Sequence, residues 1–298
     1  MKEDTTNSLL LPSILSSKEN PEKRLFIVTG KGGVGKTTLA MAFAKYLKDS
    51  DSRKVLYNSF DQPLPEGLLK ELSIPYFKLC MDTSAKEYIG KKLHSETVAG
   101  WIMKTPFFSS LFNMLPGLGH MILLGHIINM LEEDPELTIV IDSPSSGHAI
   151  TMFESPLNFR DMFRTGLIVN DIDRMEDFLF KNKHLQVLIA ALPTLMATQE
   201  AKDLAVELEQ RNVKDPLFIL NDLLHLNSAV QNSQNTNEDH SQNNDELPQF
   251  IKEKCKLELE VLKELDQSWN PIAHFSETNN KNLVTAIVHY LNHGGNPS

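Results

Sequence analysis

Two lysines and a threonine in one glycine-rich run carry the most specific chemistry in the sequence. Gly30-Lys31-Gly32-Gly33-Val34-Gly35-Lys36-Thr37 fits the pattern G-x-x-x-x-G-K-[ST] at every fixed position, with Thr38 behind it. Glycines at 32, 33 and 35 let the backbone turn its N–H groups inward, at the positive end of a following helix, where phosphate oxygens are cradled. Lys36 is then the residue that reaches the β and γ phosphates, and Thr37 the one that holds Mg²⁺. ATP with Mg²⁺ is the expected ligand. Two aspartates supply what the loop lacks. Asp61 stands just after the run Lys54 to Tyr57, where it either orients or deprotonates the attacking water or simply stops the strand as an Asx turn. Asp142 ends the near-continuous apolar run Leu137 to Ile141, the place from which a carboxylate holds Mg²⁺ through water. Gly147 lets the backbone approach the γ-phosphate and swing away after hydrolysis, and His148 either carries that movement onward or is a plain loop histidine.

Such residues must sit at the ends of strands. Leu25, Phe26, Ile27 and Val28 read as a strand before the loop, and Leu39, Ala40, Phe43, Ala44 and Leu47 repeat at helical spacing after it. Further strands are expected at Lys54 to Tyr57, Pro75 to Asp82, Leu137 to Ile141, Leu185 to Ala191, Leu217 to Leu220 and Ile272 to Phe275. Helices are expected at Thr198 to Gln210, Leu247 to Leu265 and Asn282 to Leu291. The alternation predicts an α/β fold: a doubly wound, mainly parallel sheet with a helical insertion subdomain. Residues 1–24 read as a flexible segment, 25–298 as one domain with helical insertions at about 84–133 and 155–184, and 227–245 as a mobile loop poor in apolar residues. The first insertion is dense in adaptable apolar side chains: Trp101, Met103, Phe107, Phe108, Leu111, Phe112, Met114, Met121, Leu123 and Leu124. They form either the core of a helical layer or a groove for apolar helical clients.

Composition narrows the setting. The 298 residues are 41% hydrophobic and 23% charged, ordinary for a globular protein with a sizeable core. A formal net charge of −10 argues against general nucleic-acid binding. Cys80 and Cys255 alone build neither a disulfide framework nor a four-cysteine zinc site, so a reduced cytoplasm is the expected setting. No basic region precedes a continuous apolar core near the start, so no secretory signal is expected. The most apolar run, Met121 to Leu131, falls well short of the ~20 residues that span a bilayer, and an integral membrane protein is not expected.

The extra lysine within the loop resembles the deviant phosphate loop of MinD, ParA, the nitrogenase iron protein and the arsenical-pump ATPases. That resemblance implies that Lys31 crosses a homodimer interface to the phosphates of the partner's nucleotide; failing that, Lys31 is a solvated loop lysine. Asp142-Ser143-Pro144-Ser145-Ser146-Gly147-His148 resembles the Asp-Thr-Ala-Pro-Thr-Gly-His switch of the arsenical-pump and tail-anchored-protein-targeting ATPases, and Leu115-Pro116-Gly117 resembles their Pro-Gly segment. It implies an ATP-hydrolysing dimeric switch that couples nucleotide state to an apolar client, with a MinD- or ParA-like positioning ATPase as the alternative. By the same resemblance Asn221 hydrogen-bonds the adenine, unless it only ends its strand. The first switch departs from the family: Asp61-Gln62-Pro63-Leu64-Pro65 replaces Asp-Pro-Ala-His-Asn. The family's Cys-x-x-Cys pair is missing as well, which disfavours an arsenite pump, since arsenite needs thiolate ligands.

Overall fold

The computed structural model describes residues 10–60, 62–93, 95–106, 110, 117–144, 150–154, 160, 167–227, 248–266 and 268–293. Asp61, Gly147, His148, Phe107, Phe108, Leu111, Phe112, Met114 and, apart from Asn227, the loop expected at 227–245 lie outside these residues.

A six-stranded sheet forms the frame: β1 (Leu25–Gly30), β2 (Lys54–Asn58), β3 (Leu137–Asp142), β4 (Leu185–Ala191), β5 (Leu217–Leu223) and β6 (Trp269–Ala273), in the order β2-β3-β1-β4-β5-β6. Every neighbouring pair is parallel. All residues of β1, β3 and β4 are buried, as continuous apolar strands must be when helices cover both faces. The period-2 alternation of a strand then divides the core in two. Leu25 and Ile27 enter one cluster, Phe26 and Val28 the other.

Among the described residues the α-helices are α1 (Leu10–Leu15), α2 (Lys36–Asp49), α3 (Glu66–Glu71), α4 (Met81–Leu93), α5 (Glu96–Met103), α6 (Leu118–Glu133), α7 (Leu167–Glu176), α8 (Leu195–Glu209), α9 (Gln249–Glu264) and α10 (Asn280–Asn292). Buried side chains of α1, α2, α3 and α10 share the cluster of Phe26 and Val28. Those of α4, α6, α7 and α8 share the cluster of Leu25 and Ile27. On that second face the Tyr88 hydroxyl donates to Asp171 and Arg174 pairs with Glu132, tying α7 to α4 and α6. Among the described residues no helix is long and apolar enough to cross a membrane.

Several expectations change. Residues 10–24, read as part of a flexible segment, are packed: Leu11 and Leu15 are fully buried. Arg53 donates to the carbonyls of Leu15 at 3.2 Å and Asn20 at 3.3 Å, and Asp51 accepts from the Ser17 N–H at 2.7 Å. The stretch Pro75 to Asp82 is not a strand. Only Tyr76 makes a bridge, to Tyr57, and the chain has already turned into α4 at Met81. The last strand starts at Trp269, ahead of the expected Ile272, and takes in Pro271; an edge strand tolerates that missing N–H. Met121, Leu123 and Leu124 of α6 are core, whereas Trp101 of α5 is 72% exposed.

Candidate functional site

The phosphate-loop residues lie between the carboxyl end of β1 and the start of α2, where an open parallel sheet presents its ligand crevice. Gly30 takes φ +141°, and a Cβ there would stand 2.3 Å from the Ala190 carbonyl oxygen, so glycine is what lets β1 end tight against β4. Gly35 takes φ +90° as it leads into α2, and a Cβ there would come within 2.5 Å of the Asn221 amide nitrogen. That amide, brought in by β5, donates to the Val34 carbonyl at 3.0 Å. Asn221 therefore clasps the loop from behind, a contact the sequence does not announce. Among the described residues no side chain caps the start of α2, so its first-turn N–H groups are open to an anion.

Lys36, the first residue of α2, is 8% exposed, and its ammonium donates to the Lys31 carbonyl at 2.8 Å. Burial lowers its pKa, and the attraction of Asp142 opposes the shift. Asp142, at the end of β3, stands opposite Val28 of β1 in the parallel register. Its Oδ2 accepts from the Thr37 hydroxyl at 2.7 Å and from the Tyr57 hydroxyl at 3.1 Å. Among the described residues its Oδ1 is buried with no hydrogen-bond partner. Burial raises the carboxyl pKa, while Thr37, Tyr57 and Lys36 favour the charged form. A buried carboxylate oxygen without a donor is expensive to keep, and such an atom marks a place where a cation or an ordered water belongs. A hydroxyl beside a carboxylate is an all-oxygen donor set, which suits a hard cation such as Mg²⁺.

Lys31 points elsewhere. Its ammonium pairs with Glu200 of α8, and the side chains are 56% and 31% exposed. The two border a cleft of about 300 Å³ that also carries Asp203 and Glu207 along the same helix, an acidic rim that favours a cation.

The structure thus gathers Gly30, Gly32, Gly33, Val34, Gly35, Lys36, Thr37, Thr38, Asp142 and Asn221 at one crevice, with Lys31 in the same loop but its side chain turned away to Glu200. Asp61 and Gly147 lie outside the described residues. Two residues of the site carry no motif in the sequence, Tyr57 and Glu200. The only trace of Tyr57 is a polar-tipped aromatic in a short strand, and Glu200 is one acid among many on a helix.

A family model described as the CobQ/CobB/MinD/ParA nucleotide binding domain matches residues 25–263. The chain is 28% identical over 173 residues to "ATPase ASNA1 homolog 2" of Paramecium tetraurelia, covering 52% of this chain and 50% of that protein. It is 24% identical over 173 residues to "ATPase ASNA1 homolog 1" of the same organism, covering 52% and 49%. With "ATPase GET3C" of Arabidopsis thaliana it shares 22% identity over 266 residues, 68% of each chain. The chain spans about half the length of the two Paramecium relatives it matches. A phosphate loop at the head of a parallel sheet, matched by that family model over most of its length, means that the chain belongs to the CobQ/CobB/MinD/ParA nucleotide-binding domain family.

Proposed function

We propose that the chain is an ATPase that binds ATP with Mg²⁺ at the phosphate loop, hydrolyses it, and works as a cytoplasmic homodimer whose nucleotide state governs an apolar client site. The observation that carries this reading is Asp142: buried, bonded through Oδ2 to the loop hydroxyl of Thr37, and unpartnered at Oδ1 among the described residues. The three relatives named above are each described as an ATPase, which supports it.

In this reading the first-turn N–H groups of α2 and the Lys36 ammonium hold the β and γ phosphates, and Lys36 must leave the Lys31 carbonyl to do so. Thr37 and Asp142 hold the cation, which when bound neutralises charge on the transferred phosphoryl oxygens. Asp61 orients the attacking water, and Gly147 follows the γ-phosphate. Asn221, proposed for the adenine, also keeps the loop in shape through Val34. Lys31 supplies the trans cation once it leaves Glu200. Among the described residues of the first insertion, Val98 and Trp101 of α5 are the exposed large apolar side chains, 46% and 72% exposed at helical spacing, and they belong to the client surface.

The test is a Mg²⁺-dependent ATP turnover assay beside light scattering with a non-hydrolysable analogue. The purified chain should turn over ATP and pass from monomer to dimer, and Lys36→Ala should lose binding of a fluorescent ATP analogue. Wild-type affinity in Lys36→Ala would refute the assignment of the loop.

A further inference from the structure

Thr37 belongs to the loop motif, but the second hydroxyl on Asp142 Oδ2 belongs to none. Tyr57 is the penultimate residue of β2, fully buried, opposite Val140 of β3 in the parallel register. Asp142 lies two residues beyond Val140 on the same face, the diagonal position that a long aromatic side chain can reach. The backbone of Tyr57 is held from its other side too. Its N–H donates to the Pro75 carbonyl at 2.8 Å, and its carbonyl accepts the Phe77 N–H at 3.2 Å. The strand that carries the side chain is therefore held on both sides, and the ring itself is fully buried.

With two donors on Oδ2 the carboxylate has one orientation. Losing one of them would leave a carboxylate free to turn about its own bond, with Thr37 as its only fixed donor. We propose that Tyr57 is a positioning residue: its hydroxyl locks the Asp142 carboxylate so that Oδ1 is the oxygen offered to the hydrated divalent cation of the nucleotide. This rests on the reading of the loop and Asp142 as a nucleotide and cation site.

Tyr57→Phe removes the hydroxyl and keeps the ring that fills the core. The measurement is binding of a fluorescent ADP analogue, without turnover, first in EDTA and then across a Mg²⁺ titration, with a thermal melt beside it. In EDTA the variant should match wild type. The tightening that Mg²⁺ produces should shrink by about tenfold, the size expected when one hydrogen bond to a charged group is lost. Tyr57→Leu also lacks the hydroxyl and must show the same Mg²⁺ deficit, which keeps the test sharp if one variant folds poorly. An unchanged Mg²⁺ effect in either folded variant overturns the proposal, as does a loss shared equally between the EDTA and Mg²⁺ arms, the mark of a purely structural tyrosine. Wild-type protein that binds the probe in neither arm would instead overturn the nucleotide reading itself, and this proposal with it.

Discussion

Replacing Glu200 by Gln tests whether the contact that holds Lys31 at home limits its proposed work in trans. The pair joins two half-exposed side chains, so its strength is that of a surface ion pair, about 0.2–1 kcal/mol. Each protomer must break one such pair before its lysine can reach the partner's nucleotide. A dimer therefore carries the cost twice, up to about 2 kcal/mol, which is up to about 30-fold in the dimerisation constant. The assay is specific ATPase activity against protein concentration. Glu200→Gln should move the half-maximal concentration down, between about twofold and 30-fold, and leave the plateau at high concentration unchanged. Lys31→Ala should instead lower the plateau, because a contact made mainly in the transition state affects turnover rather than assembly. Salt supplies an internal check. Screening weakens a surface pair, so the gap between Glu200→Gln and wild type should close as ionic strength rises. A Glu200→Gln curve that overlays wild type at low salt, or a variant with a lower plateau, would refute the idea that Glu200 restrains Lys31.

Other consequences follow from burial and charge. Trp101→Ser, at an exposed position, should leave the melting temperature unchanged and weaken binding of an apolar helical peptide; unchanged peptide affinity would remove α5 from the client surface. Met121→Ser, at a core position 3% exposed, should cost about 3–5 kcal/mol in a denaturant titration, and a loss below about 1 kcal/mol would mean that α6 is not core in solution. His184 rests against the Phe178 ring at 4.4 Å, and burial chiefly lowers its pKa; Arg24 and Lys23 add to that shift, and Glu22 opposes it. Its folded pKa lies below the ordinary value near about 6.5, so the unfolded chain takes up the proton first as pH falls. Stability is then lost on acidification through that range. His184→Gln should narrow the drop in melting temperature between about pH 7 and 5.5, and an equal drop in both proteins would refute this.

How far the sequence could be read depends on the range of the interaction that decides each feature. The strands β1, β3 and β4 are buried on both faces, so each appears as an apolar run whatever its neighbours are. The loop is legible because its chemistry is local: glycines, Lys36 and Thr37 act within one turn of chain. Pro75 to Asp82 misled because Tyr76 and Phe77 have strand-like composition, while their pairing ends after the single bridge to Tyr57. Residues 10–24 misled for the opposite reason. A mostly polar stretch is held by the few apolar side chains it does have, Leu11 and Leu15, and by Arg53, which is distant in sequence and has its donors spread over several carbonyls. The hardest features are those made by register. Tyr57 and Asp142 are 85 positions apart and Lys31 and Glu200 are 169 apart, and neither pair has a spacing that composition could flag. Once the order β2-β3-β1-β4 is known, both become near-necessary. Tyr57 faces Val140 across β2 and β3, so its hydroxyl is carried toward the aspartate that ends β3. Gly30 pairs with Ala190 across β1 and β4, so the residue after Gly30 is delivered beside the helix that follows β4. The apolar alternation that builds the sheet thus also chooses the polar partners at its carboxyl edge, and a one-residue slip of β2 against β3 would turn Tyr57 to the other face and remove the second donor from Asp142.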